Sequence, residues 1–394
     1  MRARRVIFVN RVYWPAQAAT AQLLTDLAEE LAARGHDVHV IAAGSESGVH
    51  HGVTIHRTGG HEQNRGLLSR VGNYLGFLHH ARRKIGELAQ PGDIVVLKTD
   101  PPLLGALGTS AALRAGAQVV HWIQDIYPEI VSAHLGAAFK LPLAPLRWLR
   151  DRAWHRAAAC VTLGTDMATT LQAHAVAPSK IHLVPNWAPR ELHEPPAAAA
   201  IRARRLAWGL DDKFIVVYSG NLGRVHEFDA IIDAATQLKD APGIAFLFIG
   251  RGARFDEVRT EAERRGLPNL HFLPPEPRAD LPAALAAADV HLVTLRPAFL
   301  PLVYPSKLAG VLAAGRPVAF IGPRQSEIAR LLTQDDCGEG FSPHDGSALA
   351  ERLRTWQRQP ALTTQLGRAA RAAYEKRFTF RAAVSKWDEL LRSV

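Results

Sequence analysis

The chain has 394 residues, enough for two domains of ordinary size, and its 47% hydrophobic and 21% charged content is that of a globular protein. Two cysteines far apart in sequence, Cys160 and Cys337, exclude a disulfide framework and zinc-type spacing, which fits a reducing compartment. A net charge of +10 permits an acidic partner, whether anionic lipid, nucleic acid or phosphorylated substrate, although an Arg- and Ala-rich composition also follows from a high-GC genome.

The basic-then-apolar opening, MRARRVIFVN, breaks at Asn10 and Arg11, too early for a signal-peptide core, and no apolar run reaches bilayer length. A cytoplasmic chain is expected. Val6–Asn10 reads as a first strand, followed by a loop from Arg11 to Ala19. A helix with Leu23, Leu24, Leu27 and Leu31 on one face ends at Gly35, and Val38–Ala42 completes a βαβ unit. Further strands are expected at Val53–His56, Asp93–Lys98, Gln118–Trp122, Ala159–Leu163 and Ile181–Val184. The composition changes from Trp187 to Leu210, with several prolines and a run of alanines, as in a linker that leads into a helix. A second series follows: Phe214–Tyr218, Ala245–Ile249, Leu270–Phe272, Val290–Leu295, Pro317–Ile321 and Gly338–Phe341. The expected fold class is therefore α/β, two Rossmann-like doubly wound domains facing a cleft, where strand C-termini bind ligands. Domains are expected at 1–187 and 211–378, joined by a linker and entry helix at 188–210. The final helix, 379–394, can either extend the second domain or return to the first.

Several stretches can carry chemistry. Tyr304-Pro-Ser-Lys-Leu308 opens a helix after an apolar strand: Pro305 fixes φ, the Ser306 hydroxyl can cap, and Lys307 adds charge beside free backbone N–H groups. Gly220, Asn221 and Gly223 precede Arg224, a glycine turn that lets a phosphate approach backbone and guanidinium. Gly250 and Arg251 form a second such turn. Each stretch reads equally as an ordinary turn with a solvated cation. In the first half, His121-Trp-Ile-Gln124-Asp125 leaves a strand end; Asp125 can act as a base, bond a sugar hydroxyl, or merely cap the turn before Pro128, and Glu129 can do likewise. Phe139–Arg156 interleaves cations with Phe, Leu and Trp, as does a helix lying at an anionic membrane surface or a domain helix with solvated arginines; His79–Lys84 adds a nearby basic stretch. No metal-ligand, nucleophile or Walker motif occurs among these stretches.

The order and spacing of FVNRVYWPAQAATAQLLTDLAEELAARGHDVHVI, HWIQDIYPE, VTLGTDM, KIHLVPNWAP, YSGNLGR, FLFIGRG, DLPAALAAADVHLVTL and PSKLAGVLAAGRPV resemble bacterial GT-B glycosyltransferases of family 4, over nearly the whole chain. The nearest in kind are exopolysaccharide and lipopolysaccharide transferases. The resemblance implies a retaining, metal-independent hexosyltransferase without a cofactor. It moves a sugar from a nucleotide diphosphate donor, usually UDP-linked, to a lipid-linked glycan acceptor, with an anionic membrane surface as a further partner and no nucleic acid. Asp125, Arg224 and Lys307 are implied as catalytic. Donor contacts fall on Gly220, Asn221, Gly223, Arg224, Gly250, Arg251, Tyr304, Pro305, Ser306, Lys307 and Leu308. Acceptor contacts fall on Tyr13, Trp14, Ala19, Thr20, Gln124 and Asp125. The chain departs from the family's usual pattern at Leu302 and Gly310, where many relatives carry glutamates, the second against the ribose. A nucleotide-sugar 2-epimerase and a degenerate, non-catalytic sugar-nucleotide binder are the alternative readings.

Overall fold

In the computed structural model, residues 5–16, 18–59 and 67–394 are described. They form two compact units: one takes the chain up to Pro185 with Pro301–Tyr304 and Arg381–Val394, the other Asn186–Leu300 with Pro305–Phe380.

Unit 1 runs β1 (Arg5–Val9), α1 (Ala19–Ala33), β2 (Asp37–Ala42), β3 (Gly48–His50), β4 (Val53–Arg57), α2 (Leu67–Leu88), β5 (Ile94–Leu97), α3 (Leu104–Arg114), β6 (Gln118–Trp122), α4 (Glu129–Leu135), α5 (Ala144–Arg156), β7 (Ala159–Thr162), α6 (Thr165–Ala173) and β8 (Ile181–Leu183). Its sheet order is β3-β4-β2-β1-β5-β6-β7-β8, parallel except for the β3–β4 pair. Strands such as Ile94–Leu97 are buried throughout, as a parallel sheet covered on both faces requires. The sequence reading has no counterpart to β3, because three residues with an exposed Val49 carry no detectable alternation.

Unit 2 runs α7 (Ala198–Trp208), β9 (Phe214–Asn221), α8 (Asp229–Gln237), β10 (Ile244–Arg251), α9 (Phe255–Arg264), β11 (Leu270–Leu273), α10 (Leu281–Ala287), β12 (Val290–Thr294), α11 (Lys307–Ala313), β13 (Val318–Ile321), α12 (Glu327–Gln334), β14 (Gly338–Phe341), α13 (Gly346–Arg358) and α14 (Pro360–Arg377). All neighbours in its β11-β10-β9-β12-β13-β14 sheet are parallel, the 3-2-1-4-5-6 order of a dinucleotide-type fold. The entry helix α7 is not free-standing: it packs on α10, and Arg205 pairs with Asp289 at 2.7 Å.

The last helix, α15 (Phe380–Ser393), lies almost wholly in unit 1. Its Trp387 is fully buried, with ring centroids 6.5 Å from Phe8 and 4.9 Å from Trp122. His36 and Asp388 add a bond of 2.9 Å. The Phe139–Arg156 stretch also resolves into mixed roles. Arg150 is buried rather than solvated, gripping Glu129 through two bonds of 2.7 and 2.8 Å and stacking on Trp154. Phe139, Leu141 and Trp148 remain exposed. Among the described residues no helix is long and apolar enough to cross a membrane.

Truncating a fully buried tryptophan loses transfer energy and leaves a cavity, so Trp387→Ala should cost about 3–5 kcal/mol, against under about 0.5 kcal/mol for the exposed Leu141→Ala. Denaturant midpoints of the two variants check this.

Candidate active site

In each sheet the strand order reverses once, between β1 and β5 in unit 1 and between β9 and β12 in unit 2. The loops leaving such paired strands diverge and open a crevice at their carboxyl ends. The sequence-expected residues fall largely at these two points.

In unit 2, Tyr218 near the end of β9 is fully buried, its hydroxyl donating to the Asn221 carbonyl at 2.9 Å. Across the switch point, α11 starts with Lys307. Its side chain folds back so that Nζ sits 3.4 Å from the Tyr218 ring centroid. That nitrogen is sealed from solvent and has no hydrogen-bond partner among the described residues, although the residue as a whole is only half-buried. Burial holds its pKa well below the usual lysine range. His226 lies nearby, with Nδ1 bonded to the Thr294 carbonyl at 2.7 Å; burial, with Lys307 adding to it, pushes its pKa down to about 3, so it is a neutral structural histidine. Arg254 donates to the His226 carbonyl at 2.8 Å and braces the loop after Gly223. Arg224 and Arg251 stand exposed, and neither guanidinium has a partner among the described residues.

Other residues are placed differently from the sequence reading. Gly220–Asn221 and Gly250–Arg251 are not loop turns: they extend β9 and β10 and pair with each other. A Cβ on Gly250 would lie 1.9 Å from the Gly220 carbonyl oxygen, so close strand approach already demands that glycine. Gly223 needs no left-handed backbone; an added Cβ would meet the Asn221 amide nitrogen at 2.9 Å. Ser306 is helical and makes no side-chain cap, contrary to expectation, and α11 is only seven residues long. The buried amine of Lys307, not a long helix dipole, is the distinctive element there. Pro305 and Leu308 are buried, with the Leu308 amide donating to the Pro305 carbonyl at 3.1 Å. Tyr304 belongs to unit 1, where it packs on the core with Leu302; the Leu302 carbonyl accepts from the Ile126 amide at 2.9 Å. Gly310 is buried, and a Cβ there would meet Leu192 at 3.3 Å.

In unit 1, the carboxyl end of β5 carries Lys98, a residue the sequence reading missed. Its only signal was a lone lysine closing the apolar run Ile94–Leu97. Lys98 is 1% exposed, with Nζ 3.5 Å from the Trp122 ring centroid and donating to the Thr20 carbonyl at 3.2 Å. Burial lowers its pKa to about 7, against the opposing pull of Asp100 and Asp125. Asp125 follows β6 and bridges Val303 in antiparallel fashion. Burial first, then Asp100, raise its pKa to about 6, with Lys98 opposing. A carboxyl poised there can hold or release a proton near neutrality. Asp100 itself is tied to Arg11 at 3.2 Å.

Thr20 and Ala19 begin α1, with Ala19 exposed, and Gln124 is half-buried. Trp14 is 41% exposed and stacks on His50 at 3.8 Å. Tyr13 contradicts its expected acceptor role: its ring is wholly inside the core and burial raises its pKa. An aromatic in a loop gave no hint of that. His121 and Glu129 are also structural, His121 bonded to Thr109 at 3.0 Å and Glu129 to Arg150. Among the described residues, no group of three His, Cys, Asp or Glu side chains is arranged to hold a metal ion.

Two tandem parallel units with ligand-type crevices at their switch points define the GT-B class. Comparison with known proteins agrees. Residues 19–187 match the family model described as "Glycosyl transferase 4-like domain", and residues 203–373 match "Glycosyl transferases group 1". The chain is 30% identical over 274 residues to the probable glycosyltransferase WbjE of Pseudomonas aeruginosa, spanning 68% of this chain and 67% of that one. It is 31% identical over 225 residues to the putative colanic acid biosynthesis glycosyl transferase WcaI of Escherichia coli, covering 56% of this chain and 55% of that protein. Among solved structures, HepE of Anabaena in complex with UDP matches with a TM-score of 0.76 at 17% identity, over 99% of this chain and 100% of that one. WaaG, a glycosyltransferase involved in lipopolysaccharide biosynthesis, matches with a TM-score of 0.75 at 18% identity, over 98% and 99%. The chain belongs to the GT-B glycosyltransferases of family 4.

The raised Asp125 pKa has a signed consequence. Between about pH 4 and 6 the folded chain keeps a proton that the unfolded chain has lost, so this contribution to stability is full below about pH 4 and disappears as pH rises through 6. Asp125→Asn, always neutral, should flatten that dependence, gaining roughly 2–3 kcal/mol on wild type between pH 4 and 6.5 at 1.36 kcal/mol per unit of pKa. Denaturant unfolding across that range measures it; parallel curves would show an unshifted carboxyl.

Proposed function

We propose that the chain is a retaining, metal-independent hexosyltransferase that moves a sugar from a UDP-linked donor to a lipid-linked glycan acceptor in cell-surface polysaccharide synthesis. The observation that carries the reading is the buried, unpartnered Lys307 amine at the switch point of unit 2. A hidden nitrogen with no acceptor in reach is costly unless a ligand completes it. A diphosphate supplies the missing oxygens and the negative charge that restores the ammonium form.

In the transfer, the bond between the anomeric carbon and the diphosphate oxygen breaks, the acceptor hydroxyl oxygen takes its place, and the hydroxyl proton is released. Charge accumulates on the departing diphosphate. Lys307, and Arg224 on its exposed loop, are the fixed cations assigned to stabilise it, the task a divalent metal performs in other transferases. Asp125 is assigned to the acceptor side, orienting the hydroxyl or taking its proton. The UDP assignment draws support from HepE, solved with UDP and with UDP-glucose. The polysaccharide setting draws on the names of WcaI and WaaG. Retention and metal independence follow from the family resemblance. Exposed Phe139, Leu141 and Trp148 beside Lys140 and Arg152 support a peripheral position on the inner face of the cytoplasmic membrane.

A metal-free thermal-shift screen against UDP, GDP, dTDP, CMP and ADP tests the donor assignment. UDP should raise the midpoint selectively, because it binds only the folded state. The shift should vanish in Lys307→Met and shrink in Arg224→Ala, whose lost charge-assisted contact is worth about 1.5–3 kcal/mol, roughly 10- to 150-fold in affinity. Ligand-free Lys307→Met should melt no lower than wild type, since it discards a buried unpaired amine. An unchanged UDP shift in Lys307→Met would remove the central residue from the donor site. Binding without turnover would favour the non-catalytic alternative.

A further inference from the structure

A basic groove of about 490 Å³ lies between α2 and α3 in unit 1, lined by none of the residues assigned to donor or acceptor. On α2, His79, Arg82, Arg83 and Gly86 line it, spaced three, four and seven positions apart on one helical face. Ala111 and Arg114 of α3, with Ala115 just after it, face them at the matching interval. The small residues leave the gap, and the arginines supply its charge. Among the described residues no carboxylate lines it. Arg83 is bonded to Glu87 at 2.8 Å, but the guanidiniums of Arg82 and Arg114 have no partner among the described residues. Arg114 also sits in the last turn of α3, where its charge suits the helix terminus, but that role leaves its donor fork unfilled.

Like charges gathered around a cavity repel one another, and an anion relieves that cost. Planar guanidinium forks suit phosphate oxygens, which they bind in bidentate fashion. The volume exceeds that of a bare ion and suits a phosphorylated headgroup or a small organophosphate. Exposed Val71 and Leu75 continue the same stripe of α2 toward its N-terminus, at i, i+4 and i+8 with His79. An amphipathic occupant, with a phosphate head and an apolar body, fits that sequence of surfaces.

We propose that the α2–α3 groove is a phosphate-binding site, taking the phosphate of a lipid headgroup or of a soluble phosphorylated molecule. The proposal is independent of the donor assignment. Two variants test it. R82Q/R114Q removes the unpaired charge. G86L fills the groove while keeping every cation; a Cβ at Gly86 meets nothing within 4 Å, and leucine favours a helix over glycine, so this variant should fold at least as well. Melting midpoints of the free proteins verify folding.

One arm titrates sn-glycerol 3-phosphate by calorimetry at low salt. The other measures sedimentation with phosphatidylglycerol vesicles against phosphatidylcholine vesicles. Binding in either arm that weakens at least tenfold in both variants supports the site. A response to glycerol phosphate alone identifies a soluble ligand, and one confined to phosphatidylglycerol vesicles identifies a headgroup. Binding in neither arm overturns the proposal. So does loss in R82Q/R114Q with retention in G86L, because that pattern is general attraction to a basic protein rather than occupancy of the groove.

Discussion

The candidate donor site rests on one contact: the amine of Lys307 laid over the ring of Tyr218, 3.4 Å from its centre, with no acceptor to bond among the described residues. Removing an ammonium group from water costs several kcal/mol, of which a single desolvated aromatic face returns about 2 kcal/mol. The fold tolerates this through the depth of its parallel sheet. Tyr218 is packed on Phe228 and Phe248, and its hydroxyl is fixed by the Asn221 carbonyl. A rigid ring thus fixes where the amine lies, and burial there lowers its pKa.

Unit 1 repeats the device. At its own switch point Lys98 is buried over Trp122, with Nζ 3.5 Å from the ring centre, beside Asp125. There the partners are present within the protein: the Thr20 carbonyl takes one hydrogen bond, and Asp100 and Asp125 supply countercharge. The comparison explains why Lys98 titrates near neutrality and Lys307 lies well below the lysine range. One amine is internally compensated; the other has no such compensation among the described residues. Trp122 in turn packs on Trp387, so the final helix supports the ring on which Lys98 rests.

Much of this was legible in the sequence, for definite reasons. Buried parallel strands are short apolar runs with abrupt ends, and Gln118–Trp122 could be bounded to the residue. The stretch from Pro305 to Leu308 stood out because proline, a hydroxyl and lysine meet where a strand feeds a helix. What escaped were properties set by packing across the sheet. The glycine pair Gly220 and Gly250 looked like loop chemistry, but strand-to-strand approach requires Gly250 in any case. Tyr13 looked like a loop aromatic and is core, and Arg150 looked solvated and is a buried clamp on Glu129. Lys98 gave one faint sign, a cation closing an apolar strand. No one-dimensional pattern records which ring lies over an amine.

The most direct measurement is proton uptake on nucleotide binding. UDP titrated calorimetrically near pH 8.5, in two buffers of different ionisation enthalpy, reports protons gained by the complex; at that pH the nucleotide phosphates are already fully ionised. If Lys307 is neutral when retracted and charged against a diphosphate, wild type should take up close to one proton and Lys307→Met none. UDP binding with no proton uptake, or with uptake unchanged in Lys307→Met, would contradict the account.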